Sequence, residues 1–288
     1  MTKTLLQIPD GLKTRALEIA KEIGNDVIIS ADACFGACDL KDREALQLKC
    51  DKIIHYGHSK FLESEMPVEY REMKLDIDII PLLDEAFEKL NQYKSFGLVT
   101  TIQFINSIQQ AKEYLESKGK TVEIKQEKDL SPGQILGCRV PTFDTECILY
   151  IGSGRFHAAG IALKNKKPLF ILDIEKNILA DVEDLKNKFE KQSYAAIAVA
   201  KDKNSFGILV STKKGQCHID LAEEIKSKLK AKGKEAFILS MDEIKPEKLM
   251  GIKCDVWINT ACPRIGIEDR TNFEKPILNP DEIQAIVE

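Results

Sequence analysis

Eight cysteines offer this chain most of its chemistry: Cys34, Cys38, Cys50, Cys138, Cys147, Cys217, Cys254 and Cys262. A thiol outside an apolar strand can be inert and buried, or serve as a nucleophile, a zinc ligand or an iron–sulfur ligand. Three stand out by context: Cys38 in ADACFGACDL, Cys138 in SPGQILGCRVP and Cys262 in INTACPRIGIEDR. Glycine or proline beside each thiol lets the backbone approach a bulky group closely. Three cysteinates could hold three irons of a [4Fe–4S] cube and leave the fourth open to substrate. Zinc on three cysteines and a water is the rival, and spacing does not choose between them. The Cys34-x3-Cys38 pair is neither a C-x2-C redox pair nor a full C-x3-C-x2-C cluster loop. Cys147 and Cys254 start or flank apolar runs, Cys50 sits in a helical stretch, and Cys217 follows KKGQ. Those four read as structural or incidental.

Three further stretches carry polar chemistry. YIGSGRFHAAG, Tyr150 to Gly160, runs from a strand through a glycine loop into a helix start. It lacks the G-x-G-x-x-G spacing and the lysine of a P-loop, so it argues against a dinucleotide or nucleoside triphosphate. Gly152, Gly154 and His157 are its candidates for cradling an amino-carboxylate or a ribose. HYGHSKF places His55 and His58 around Gly57, a spacing that could hold a metal. With no third ligand close in sequence, hydrogen-bonding support to a neighbouring site is the expected role. In PRIGIEDR, Arg264 could grip a carboxylate, with Asp269 orienting it.

Short apolar runs must position these residues. DVIIS (26–30), SFGLVTT (95–101), CILYIG (147–152), KPLFIL (167–172), AAIAVA (195–200), SFGILVS (205–211), EAFILS (235–240) and DVWINT (255–260) read as buried parallel strands. Amphipathic helices closed by glycine alternate with them, which predicts an α/β fold with mostly parallel sheets. SFGLVTT…AKEYLESKGKTVEI echoes SFGILVST…AEEIKSKLKAKGKEAFIL, the copies starting at Ser95 and Ser205. A more diverged N-terminal copy would make three similar units, drawn at 1–94, 95–200 and 201–288, each with one loop cysteine. Ligands of open α/β sheets bind beyond the carboxyl ends of strands. Cys38 follows DVIIS and Cys262 follows DVWINT, so both are expected in equivalent places.

The totals narrow the function classes. Of 288 residues, 43% are hydrophobic and 31% charged, an ordinary globular composition with no run long enough to span a bilayer. Net charge is −4 and the lysine-rich LKNKFEK and IKSKLKAKGK fit solvated helix faces, so nucleic acid and membrane are not expected partners. The N-terminus does not read as a secretory signal, so a reducing cytoplasm is the expected compartment.

Taken in order, ADACFGACDL, HYGHSKF, SPGQILGCR, YIGSGRFHAAG and INTACPRIGIEDR make the chain closely resemble the archaeal diphthamide synthase family, from Ala31 to Arg270. The resemblance implies three similar parallel-sheet α/β domains around a shared central active site. It implies that Cys38, Cys138 and Cys262 hold a [4Fe–4S] cluster whose open iron binds S-adenosylmethionine. It implies cleavage between sulfur and the methionine γ-carbon, and transfer of a 3-amino-3-carboxypropyl radical to imidazole C2 of a histidine in translation elongation factor 2. Methylthioadenosine leaves. A homodimer and an external electron donor are implied as well. The glycine loop with Gly152, Gly154 and His157, together with Arg264, would bind S-adenosylmethionine. Lys60 stands where relatives often carry a cysteine. Competing readings are a quinolinate-synthase-like Lewis-acid enzyme, an accessory or electron-relay subunit, and a zinc-binding α/β module.

Overall fold

The computed structural model describes residues 2–24 and 26–288. Three sheets follow one another along the chain. The first unit runs β1 (Thr4–Gln7), α1 (Ala16–Ile23), β2 (Val27–Ile29), α2 (Asp42–Gln47), β3 (Lys52–Tyr56) and β4 (Val68–Arg71). The next adds α3 (Ile80–Leu90), β5 (Ser95–Thr100), α4 (Ser107–Ser117), β6 (Thr121–Glu123), β7 (Cys147–Gly152), α5 (Phe156–Lys164), β8 (Leu169–Asp173) and β9 (Ile178–Asp181). The last comprises α6 (Glu183–Lys201), β10 (Ser205–Ser211), α7 (Ile219–Ala231), β11 (Glu235–Met241), β12 (Val256–Asn259), β13 (Ile277–Leu278) and α8 (Gln284–Val287).

The strand orders are β2-β1-β3-β4, β6-β5-β7-β8-β9 and β11-β10-β12-β13. In every unit the first strand pairs with the second on one side and the third on the other. Each sheet therefore has its switch point between its first and third strands, where a crevice opens beyond the carboxyl ends. All pairings are parallel except β8 with β9, an antiparallel edge found in the middle unit. The inner strands are buried over most of their length, as sheets covered on both faces require. β7, for example, is buried from Cys147 to Gly152.

Packing divides the chain somewhat differently from strand order. Helix α3 precedes β5, yet its Leu82, Leu83, Ala86 and Leu90 share a core with Phe96, Leu98 and Leu149 of the middle sheet. Helix α6 likewise sends Ala196 and Ala200 into the core of the last sheet, against Phe206, Ile208 and Val256. The run AAIAVA, expected as a strand, is the C-terminal part of α6. Its alanines are strong helix formers, and nothing breaks the nineteen-residue helix before them. Cys50, expected on a helix, lies just past α2 and is buried in the first unit's core. Among the described residues, no helix is long and apolar enough to cross a membrane.

Candidate active site

Cys38, Cys138 and Cys262 line one cavity of about 900 Å³ where the three units meet. Each thiol is delivered by a different local device. Cys38 follows β2 in a turn closed by Asp39 N–H donating to Gly36 O at 3.1 Å. Cys138 is at the tip of a two-residue hairpin, Leu136 and Arg139 exchanging backbone hydrogen bonds of 3.0 Å in both directions. Arg139 lies 4.1 Å over the Phe61 ring and so ties this hairpin to the first unit. Cys262 caps a 3-10 turn starting at Pro263, and Asn259 Nδ2 donates to its carbonyl at 2.9 Å and to Asn279 Oδ1 at 2.8 Å.

Cys38 and Cys138 both lie between the second and third strands of their units. Cys262 lies after the third strand of its own. The expected equivalence of Cys38 and Cys262 thus fails in topology, although both follow strand ends. The counterparts of the Cys262 loop are the segments after β3 and β7, which carry HYGHS and GSGRFH.

The last unit closes over Cys38. Gly215 N–H donates to Cys38 O at 2.9 Å, and Gln216 Nε2 donates to Cys38 Sγ at 3.4 Å. Lys213 Nζ forms a buried ion pair with Asp39 at 2.5 Å, and Lys214 reaches Asp42 at 2.7 Å. The thiols feel one another. Burial pushes Cys262 up to about 11, opposed by the Arg264 backbone and reinforced by Cys38 and Cys138. Burial raises Cys138 first and the Cys38 charge adds to it. Burial also raises Cys38, against the Gln216 hydrogen bond. Three thiolates cannot share this space without a cationic centre. That is the donor set a metal ion or cluster needs, and no described acid or base forms a nucleophile dyad with any of the three.

The four residues expected to hold S-adenosylmethionine gather elsewhere. Gly152, Gly154, His157 and Arg264 do not line the cavity. A Cβ on Gly152 would fall 2.6 Å from Tyr150 Oη, so this glycine makes room for a buried ring. Gly154 adopts φ +75°, a turn conformation. His157 Nδ1 is 3.5 Å from Tyr150 Oη, and Arg264 lies 5.2 Å over the neighbouring Phe156 ring. Arg264 Nε is 3.1 Å from Glu268 and 3.7 Å from Asp269. Two arginines do line the cavity, Arg139 on the Cys138 hairpin and, from the last unit, Arg270. Arg270 Nε donates to Gly266 O at 2.6 Å, and its Nη2 reaches both Glu282 oxygens at 2.7 Å. Its buried Nη1 has no hydrogen-bond partner among the described residues. In sequence Arg270 looks like one more surface charge, because Glu282 lies beyond the motif.

The structure also joins Cys34 to the histidine pair. One ligand atom from each of Cys34, His55 and His58 falls within 4.8 Å of the others. Strand order explains why sequence hid this: β2 and β3 flank β1, so the residues after β2 reach those on β3 across the sheet end. Lys60 is exposed and pairs with Glu63.

His157 sets a pH dependence. Burial, then the Arg264 charge, pulls its pKa from 6.5 to about 4. The folded chain keeps this imidazole neutral, while the unfolded chain binds a proton below pH 6.5. Its stabilisation is therefore full above pH 6.5 and lost as pH falls towards 4, by up to about 3 kcal/mol. In urea titrations of the metal-free chain, His157→Gln is expected to flatten the fall in midpoint between pH 7 and 4.5. Part of the slope should remain, because burial also lowers His55, to about 3, and His58, to about 4. Parallel slopes for variant and parent would overturn the assignment.

Comparison with known proteins agrees with this architecture over nearly the whole chain. The family model described as "Putative diphthamide synthesis protein" matches residues 8–288. The 2-(3-amino-3-carboxypropyl)histidine synthase of Pyrococcus horikoshii is 34% identical over 294 residues, covering 99% of this chain and 85% of that protein. The enzyme of the same name from Methanocaldococcus jannaschii is 32% identical, with 99% and 84% covered. A crystal structure of Dph2 from Pyrococcus horikoshii with a 4Fe-4S cluster superimposes with a TM-score of 0.92 at 32% identity, covering 99% of this chain and 86% of that one. With three α/β units, a thiol from each at one cavity and this extent of likeness, the chain belongs to the diphthamide synthesis protein family.

Proposed function

We propose that this chain is a 2-(3-amino-3-carboxypropyl)histidine synthase. It transfers the 3-amino-3-carboxypropyl group of S-adenosylmethionine to imidazole C2 of a histidine in translation elongation factor 2, and methylthioadenosine leaves. The observation that carries this reading is the meeting of Cys38, Cys138 and Cys262, one from each unit, at one cavity. We assign these three as ligands of a [4Fe–4S] cluster. The donor set fits: three mutually repelling thiolates call for a cationic centre, and the Gln216 amide favours a charged sulfur at Cys38. When bound, the cluster supplies the single electron that breaks the sulfur–Cγ bond of S-adenosylmethionine.

The chain's own residues bind and orient. A cavity of about 900 Å³ has room for a ligand of that size. Phe61, Leu62, Leu163 and Phe189 give it apolar walls that reduce access of water. Arg270 Nη1 offers a donor to the methionine carboxylate; because Glu282 already pairs the guanidinium, it acts by direction more than by net charge. Gly152, Gly154, His157 and Arg264 take a supporting part in this reading: Arg264, over the Phe156 ring, holds the segment after Cys262 against α5, while His157 beside Tyr150 and the two glycines shape the turn into that helix. The bond that breaks is chosen by position, since no acid–base pair is needed at the reacting carbon. A homodimer and an external one-electron donor complete the proposal.

The test is anaerobic incubation of the purified chain with dithionite, S-adenosylmethionine and elongation factor 2. The expected result is a mass gain on one histidine and release of methylthioadenosine. Both should fall to background in Cys38→Ala, Cys138→Ala and Cys262→Ala. A colourless protein with zinc and no labile sulfide would sink the cluster. Quinolinate formation, or a chain inactive until a catalytic relative is added, would replace the reading with one of its rivals.

A further inference from the structure

We propose that Cys34, His55 and His58 form a second metal site, built for a single zinc-class divalent ion and separate from the three-thiol cavity. The three residues belong to the first unit alone, and none of them lines the cavity. Their ligand atoms lie within 4.8 Å of one another. His55 Nε2 and His58 Nδ1 are 3.1 Å apart. Two imidazole nitrogens on one tetrahedral zinc sit about 3.3 Å apart, so the pair needs almost no movement to share an ion. Cys34 is 3% exposed and His55 is fully buried, so the ion would be enclosed on at least two sides.

The surroundings orient the ligands. Gln7 is almost fully buried, and its amide is fixed at both ends: Nε2 donates to Asp39 O, and Oε1 accepts from Lys41 N–H at 3.2 Å. The same Oε1 lies 3.1 Å from His55 Nδ1. An oxygen there requires the proton on Nδ1, so Nε2 turns its lone pair towards His58 and Cys34. A carbonyl that accepts from the far nitrogen of a ligating histidine is a recurrent support of zinc sites.

A metal-free alternative accounts for part of this. His58 Nδ1–H could donate to His55 Nε2 and complete a neutral chain from Gln7. It leaves the Cys34 thiol, beside both rings, with only a weak hydrogen bond among the described residues, to Gly36 O at 3.8 Å. One thiolate and two imidazoles form a donor set that suits zinc or cobalt(II). On binding, Cys34 releases its proton to solvent, a sulfur–metal bond forms, and no electron is transferred. Three protein ligands leave the fourth tetrahedral position open to water.

The experiment uses the full chain, prepared anaerobically with its cluster and given zinc ions, with loose metal removed by a chelator. About one zinc per chain should remain, and X-ray absorption at the zinc edge should show one sulfur at about 2.3 Å and nitrogens at about 2.0–2.1 Å. Chelator competition should show zinc held at least about a hundredfold more weakly by Cys34→Ser and by His58→Gln. It should be about 10–100-fold weaker in Gln7→Leu. Zinc content should be unchanged in Cys138→Ser, which alters the cavity only. No retained zinc in the parent chain overturns the proposal. So does an all-sulfur shell that disappears in Cys138→Ser, since the ion would then occupy the three-thiol cavity. Should a variant fail to fold, the ligand shell of the parent chain still decides.

Discussion

Gly215→Ala is expected to strip the chain of its iron and lower transfer to elongation factor 2 by about a hundredfold or more, with the fold retained. A Cβ on Gly215 would fall 2.6 Å from Cys38 O and 2.7 Å from both Cys38 Cα and Cys38 Cβ. None of those atoms can rotate away, because two are backbone and the third is fixed to it. The Gly215 segment must therefore retreat, breaking its 2.9 Å hydrogen bond to Cys38 O and withdrawing the Gln216 amide from Cys38 Sγ. Metal–ligand distances tolerate only about 0.2 Å. Iron and sulfide analysis, visible absorption and the transfer rate check this. Gly11→Ala is the control, since a Cβ there meets nothing within 4 Å. A Gly215→Ala chain with full iron content and rate would mean that the last unit does not press on Cys38.

Asp39→Ala is expected to cost about 3–5 kcal/mol of unfolding free energy. The side chains of Lys213 and Asp39 are 4% and 2% exposed, and Asp39 is the acid paired with Lys213. Without it, Lys213 keeps a cation–π contact with Phe35, 5.1 Å away, which cannot replace a carboxylate in a buried place. Lys41 loses one of three acids and retains Asp32 and Asp242. Against a total stability of roughly 5–15 kcal/mol, this loss is large. Denaturant unfolding measures it. The double variant Asp39→Ala with Lys213→Met should recover most of the loss, because the damage comes from an unpaired buried charge. A single-variant loss below about 1 kcal/mol would show the pair to be solvated.

What could be read from sequence was whatever local pattern determines. The strand before Cys262 is apolar along its length and ends at a polar turn, so its place beyond a sheet was legible. Cys38 was legible for the same reason, and Cys138 by the glycine- and proline-bounded loop that carries it. AAIAVA was misread because six apolar residues look alike in a strand and at a helix end; length decides, and the helix begins at Glu183. The short strands β1 and β3 each hold an apolar pair between polar residues, too little pattern to mark a strand, so the position of His55 is not legible either. Lys213 and Gln216 carried no signal at all. A lysine in STKKGQ looks solvated until a partner 174 residues upstream buries it. Arg270 and Cys34 escaped similarly, since Glu282 and the histidine pair meet them only through the fold.

The unequal placement of the three thiols bears on how such a chain arose. Three identical units assembled as a ring would present three equivalent loops, and any thiol triad would come from one loop copied three times. Here two thiols descend from the segment between the second and third strands, and one from the segment after the third. Duplication alone cannot generate that pattern. A thiol gained in one loop, or lost from another, as the copies diverged is needed as well.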